Sequence, residues 1–167
     1  MKKITKYLIV VFLIFIISLG YIAFKQHQLI EREQREIYKE YIATYYRTAM
    51  TMETGNLNSI EPHKFYMLAL EFQKNRSFQS LSIVEFPRNF SDFNFYSMDL
   101  LYRLGQATNK GNLNDKETEE LRVFINDIQL IVDAFGKDFF EKYQWGDPQR
   151  DFERELTLVA QKLEEYF

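Results

Sequence analysis

The chain has 167 residues, 21 basic against 24 acidic side chains, a net charge of −3 and no cysteine. It therefore lacks the basic surplus of a nucleic-acid surface, and it has neither a disulfide framework nor thiolate metal ligands. Aromatic residues make up 17% of the sequence, so ring packing must supply the stability that cross-links do not.

Residues 1–6 form a short basic tail with Lys2, Lys3 and Lys6. From Leu8 to Phe24 no ionisable group other than the Tyr21 phenol interrupts LIVVFLIFIISLGYIAF. As a helix, residues 7–24 cover roughly 27 Å, close to the roughly 30 Å hydrocarbon layer of a bilayer. Tyr7, Tyr21 and Phe24 stand where interfacial aromatic belts occur. A cleaved leader starts the same way, but its A-x-A site needs small residues at both ends, and Tyr21-Ile22-Ala23 puts a ring at the first. The sequence thus predicts an uncleaved transmembrane anchor over 7–24. Lys2, Lys3, Lys6 and the free amine crowd the near side, while Lys25, Arg32, Arg35 and Lys39 spread over a longer segment. Positive charge is retained inside, so the N-terminus is expected in the cytoplasm and the remainder outside it.

Residues 25–36 (KQHQLIEREQRE) are largely polar and free of Gly and Pro, which predicts a helical stalk. At Ile37 the pattern turns amphipathic: Tyr38, Tyr41, Ile42, Tyr45, Ala49 and Met52 recur at three- and four-residue steps. The anchor is expected to run straight into the first helix of a domain over 37–167, as one rod of roughly 75 Å from Ile4 to Glu53. About 130 residues suffice for one domain with its own core.

Four further helices are expected. The second spans about Ser59 to Lys74, with Pro62 in its first turn. The third starts near Ser91 or Asp92 and includes Met98, Leu101, Tyr102 and Leu104. The fourth holds Leu121, Phe124, Ile125, Ile128, Ile131, Val132 and Phe135 on one face. The fifth opens at Asp147-Pro148 and carries Phe152, Leu156, Val159, Leu163 and Tyr166. Leu81 to Phe86 could be extended but has no strand to pair with.

An internal echo runs through this pattern. Tyr46-Arg47, Gly55-Asn56-Leu57-Asn58 and Glu61 recur with identical spacing as Tyr102-Arg103, Gly111-Asn112-Leu113-Asn114 and Glu117. In each copy, over 46–61 and 102–117, glycine suits a left-handed helix end, the last asparagine suits a cap, and the glutamate three positions later suits a capping box. Leu57 and Leu113 are expected to point inward. The upstream Tyr-Arg pair is not needed by a turn, which favours duplication of a helical hairpin over convergence. The pattern does not match a calcium loop.

Chemistry-bearing constellations are sparse. His27 and His63 do not form a pair, Glu61-Pro62-His63 lacks a third ligand, no serine has His and Asp in recognisable spacing, and Glu119-Glu120 and Glu164-Glu165 read as solvated faces. The expectation is no enzyme, no metal and no cofactor.

The densest unusual composition lies from Phe78 to Tyr96, read as the crossover between hairpins. Its rings either cover the end of the core or form a partner-binding surface with Phe86, Arg88, Phe90 and Phe93 as anchors. Phe139, Phe140, Tyr143 and Trp145 read as a hydrophobic corner before the last helix. The sequence therefore predicts an all-α protein: a transmembrane helix continuing into two antiparallel helical hairpins plus a C-terminal helix. The expected role is a single-pass interaction or regulatory module at a bacterial cell envelope, bound to the bilayer through 7–24 and to a membrane or exported protein. The alternative is a membrane-tethered sensor of a small ligand, working with a separate signalling partner.

Overall fold

A computed structural model describes residues 2–53, 60–81, 83–136 and 151–164. These form five helices and, among the described residues, no strand: α1 (Lys2–Glu53), α2 (Pro62–Gln79), α3 (Arg88–Lys110), α4 (Asp115–Phe135) and α5 (Phe152–Leu163). The chain divides into two units, 1–36 and 37–167.

In the first unit every side chain from Tyr7 to Glu33 is exposed. This includes the whole apolar run, whose mean hydropathy of 2.7 and length suffice to cross a membrane. The sequence keeps this stretch helical because nothing breaks it. Gly20, its one weak helix former, has open space around it and lowers helix propensity by only about 1 kcal/mol.

In the second unit the six expected positions of α1, from Tyr38 to Met52, are all buried. They meet Phe65, Leu68, Ala69 and Phe72 of α2, Leu100, Leu101 and Leu104 of α3, Leu121, Phe124, Ile128, Ile131 and Val132 of α4, and Leu156, Val159 and Leu163 of α5 in one core. Rings dominate its centre. Phe93 stacks on Phe124 with centroids 6.2 Å apart, and Phe72 meets Tyr45, Phe93 and Phe124 edge-on. Fully burying each such side chain stabilises the fold by about 1.5–3 kcal/mol, and a well-placed ring pair adds about 0.5–1.5 kcal/mol.

Contacts between neighbouring helices run in opposite order along the two helices of each pair. Glu40 and Arg47 of α1 meet Lys74 and Glu71 of α2. Tyr66 and Arg76 of α2 meet Tyr102 and Phe95 of α3. Phe90 and Arg103 of α3 meet Phe135 and Glu120 of α4. Close approach of α2 to α3 rests on Gly105, where a Cβ would lie 2.9 Å from the Tyr66 ring.

Several helix limits differ from the sequence reading. α2 continues to Gln79, and α3 begins at Arg88 because Pro87 fixes an extended backbone (φ −57°, ψ 140°) directly before it. The crossover therefore shrinks to the residues between Gln79 and Arg88, and its described part is not a strand. The second copy of the echo is a capping box: Asn114 Oδ1 accepts from the Glu117 amide and Glu117 Oε2 from the Asn114 amide, both at 2.9 Å. Leu113 packs on the core as expected. Gly111 adopts φ 156°, ψ −148° rather than a left-handed helical turn.

In the first copy Glu61 is itself the cap position of α2 and makes no side-chain cap bond, because Pro62 sets the helix start. Gly55 to Asn58 lie outside the described residues, as do Asp147-Pro148, Tyr166 and the ring cluster Phe139 to Trp145. The described start of α5 is capped by Asp151, whose side chain accepts from the Arg154 amide at 3.0 Å. Tyr102 is 54% exposed rather than part of the core.

Candidate functional site

The four residues singled out in the crossover separate. Once α3 starts at Arg88, Phe90 and Phe93 fall on its inner face with Ser97, Leu100, Leu101 and Leu104. They are 2% and 7% exposed. Phe86 is half-buried, stacked on Tyr41 at 4.2 Å and tilted against Tyr38 at 5.3 Å. Arg88 alone reaches solvent, its side chain 93% exposed and 3.6 Å from Asp92 one turn on. Phe86, Phe90 and Phe93 thus cover the core, while Phe95 of the same segment is exposed.

Exposed apolar side chains stand instead on the outer sides of α2 and α3: Met67 and Leu70 on α2, Phe95 and Tyr102 on α3. Of these the sequence reading passed over Met67 and Leu70 altogether, and named Phe95 and Tyr102 without choosing them as anchors. Met67 and Leu70 interleave with buried Leu68 and Ala69, so α2 carries apolar residues on several faces and its period gives little signal. Tyr66 and Tyr102 touch edge-on at 5.6 Å and join the two helices at this surface.

A polar layer lies inside the core, built on α1, α2 and α3. Thr44, Asn75, Asn94 and Ser97 are fully buried. The Tyr41 hydroxyl accepts from Gln79 Nε2 at 2.7 Å and from Asn94 Nδ2. The Tyr45 hydroxyl donates to Asn94 Oδ1 at 3.1 Å. Asn75 Nδ2 donates to the Tyr41 carbonyl at 3.0 Å, and Thr44 Oγ1 donates to Asn75 Oδ1 at 3.2 Å. Burial pushes both phenols above their ordinary range against the hydrogen bonds that favour ionisation, and the nearby Tyr41 raises Tyr45 further. These hydroxyls are neutral hydrogen-bonding groups at physiological pH.

At the rim, Arg47 bonds Glu71 at 2.7 Å and Glu40 at 3.5 Å, and Lys74 bonds Glu40 at 3.0 Å. Burial alone would raise the Glu40 carboxyl, but the Lys74 hydrogen bond and the Arg47 charge outweigh it and hold the group below its usual value. Arg47 Nε is buried without a hydrogen-bond partner, so its fork is only partly used.

Among the described residues no three His, Asp or Glu side chains are grouped to hold a metal ion. His27 lies 3.1 Å from Glu31 and His63 3.4 Å from Glu61, each an exposed local pair. A shallow depression on α5 is lined by Asp151, Glu153, Arg154, Thr157, Leu158 and Gln161, and among the described residues no second element converges on it. The described residues thus offer exposed apolar side chains on α2 and α3 and a buried polar layer. No protein-family model, no curated protein and no solved structure matches the chain, so its function is argued from its own residues.

Proposed function

We propose that the protein is a single-pass membrane protein of a bacterial cell envelope, with its N-terminus in the cytoplasm and residues 37–167 outside it. There it acts as a non-catalytic interaction or regulatory module. The observation that carries this reading is the apolar run from Leu8 to Phe24, uncharged at neutral pH and exposed on every side. Water offers such a surface no favourable state, whereas a bilayer gains about 0.3–0.6 kcal/mol for each Leu, Ile, Val or Phe near its centre. A core helix would have these side chains covered by other elements, and none covers them.

The second unit is read as two antiparallel hairpins, α1 from Ile37 with α2 and α3 with α4, followed by α5. The opposite order of the Glu40–Lys74 and Arg47–Glu71 pairs supports the first hairpin. The Arg103–Glu120 and Phe90–Phe135 pairs support the second. In both copies of the echo the arginine bridges to the next helix, Arg47 to Glu71 and Arg103 to Glu120, but the partners are not equivalent positions, since Lys64 stands where the first copy would match Glu120.

The recognition face is read as Met67, Leu70, Phe95 and Tyr102, and its occupant as a protein held at the same membrane. Confinement raises effective concentration, so a small apolar face suffices.

The test uses the full chain with an N-terminal tag in a bacterium. Expected are tag retention, resistance to alkaline extraction, and digestion of the C-terminal unit by protease added outside opened outer layers, with the tag spared. Replacing Ile14 and Phe15 by Asp, at about 2.5–3.5 kcal/mol each in a bilayer centre, should release the chain. Loss of the tag with a soluble remainder overturns the anchor. Photoreactive residues at Leu70 and Tyr102, with Glu164 as control, should capture one and the same membrane protein, and Met67→Asp should abolish the capture.

A further inference from the structure

Two helices of the second unit carry exposed seams of like spacing and opposite charge. On α2 the seam is His63, Met67, Leu70 and Lys74, at steps of four, three and four residues. On α4 it is Glu119, Val123, Asn126, Leu130 and Asp133, at alternating steps of four and three. All of these side chains are exposed. Such steps keep residues on one side of a helix and form the contact line where two helices pack together.

Each seam holds an apolar pair, Met67 with Leu70 and Val123 with Leu130. Basic side chains close the first seam and acids close the second. The whole helices differ in the same sense: α2 has three Lys and Arg against one acid, and α4 has six acids against two bases. The two seams do not meet within one chain. Phe72 of α2 and Phe124 of α4 touch edge-on in the core at 6.0 Å. At about 100° per residue, Met67 and Leu70 stand roughly 140° and 160° round from Phe72, and Val123 and Leu130 roughly 100° and 120° round from Phe124.

We infer that the α4 seam of a second copy of this chain docks on the α2 seam, so that anchored copies associate head to tail. This rests on the reading of Met67 and Leu70 as part of a recognition face for a protein of the same membrane, and it names that protein. Within the chain α2 and α4 both run opposite to α3, and copies carried by one membrane share one sense, so α2 of one copy runs parallel to α4 of the next. With the midpoint of Met67 and Leu70 level with that of Val123 and Leu130, Lys74 falls within about 2 Å of Asp133 along the axis and His63 within about 3 Å of Glu119.

Lys74 already holds Glu40 at 3.0 Å, but its side chain is 46% exposed and its ammonium has three donors. Exposed ion pairs add little affinity. Their part here is choice, because two α2 seams or two α4 seams would bring like charges together. Since the two surfaces differ, the contact is heterologous and leaves each copy with one seam free for another.

The experiment uses the full chain, which has no native cysteine, co-expressed in one membrane as two copies with different tags. One copy carries Leu70→Cys and the other Leu130→Cys, and a short bifunctional thiol reagent joins them. Thr157→Cys on α5 replaces either one as a control. The expected result is a link between the two tags at about five times or more the level of the like-with-like pairs and the control. Lys74→Glu in the first copy should lower it severalfold, and Asp133→Lys in the second should restore it, a rescue that a folding defect would not give.

Like-with-like links equal to the mixed one, or no rescue, overturn the proposal. A membrane-bound chain without the mixed link also overturns it and leaves the anchor standing. A link from residue 70 to a different membrane protein instead overturns it and leaves the recognition face standing. A mixed link in chain recovered from the soluble fraction upholds the pairing and overturns the anchor.

Discussion

At the scale of single residues, the response of the core to alkali is set by its phenols. Burial is the largest influence on Tyr38, whose ionisation is pushed up to about 12, and acidic neighbours beginning with Glu153 add to it against the Glu85 backbone hydrogen bond. Tyr41 and Tyr45 lie higher still for the same main reason. In an unfolded chain a phenol ionises near pH 10. A folded-state value above the unfolded one means that the stabilisation is complete below about pH 10 and is lost as pH rises through the folded value. The helical fold should therefore hold to about pH 10 and weaken progressively between about 10 and 12, with the absorbance of the buried tyrosines as tyrosinate and loss of helicity rising together. Tyr38→Phe should flatten that slope. Tyrosinate forming in full near pH 10 with helicity intact would show that the rings reach solvent. The same burial explains why Phe90 and Phe93 act as core, and why truncating either belongs with buried-ring losses of about 3–5 kcal/mol rather than with surface changes.

At the scale of elements, the two copies of the echo share letters and differ in mechanics. Asn114 and Glu117 exchange both bonds of a capping box, whereas Glu61 makes no side-chain cap bond because Pro62 moves the start of α2 up to it. Asn114→Ala should lower stability by about 0.5–2 kcal/mol, seen as a fall in thermal midpoint, while Glu61→Ala should leave the midpoint nearly unchanged. Equal effects at the two sites would mean that both copies cap alike. This contrast also marks what was legible beforehand. The inner faces of α1 and α4 were readable because their apolar residues keep one stripe over several turns. The start of α3 was not, since the sequence suggested polar Ser91 or Asp92 as the cap while Pro87 sets it. With the start at Arg88, the series Phe90, Phe93, Ser97, Leu100, Leu101 and Leu104 becomes one inner face, and two of the four supposed anchors, Phe90 and Phe93, turn inward while Arg88 stays in solvent. Met67 and Leu70 were illegible for the opposite reason: apolar residues surround α2, and only the positions of α1 and α3 decide which of them are covered. Pairing of Asn75 and Asn94 with α1 depends on three helices meeting, and no spacing within one segment encodes it.

At the scale of the whole molecule, burial separates a packed stretch of chain from an exposed one. Among the described residues, every residue of the hydrophobic core lies at Ile37 or beyond, and the side chains from Tyr7 to Glu33 are exposed without exception. A fragment comprising residues 33–167 keeps the whole core and one extra turn of α1, so the first core-bearing turn retains its hydrogen-bond partners. It should be soluble without detergent, should unfold cooperatively, and should melt within a few degrees of the full chain held in detergent, given that about 1 kcal/mol shifts the midpoint of a domain of this size by roughly 2–8 °C. Circular dichroism melts of the two proteins check this directly. A fragment that aggregates or melts without cooperativity would mean that residues before 33 are part of the fold, and the exposed run would then be seeking protein rather than lipid. A fragment that matches the full chain while losing its association with membranes would assign location to one part of α1 and packing to the other.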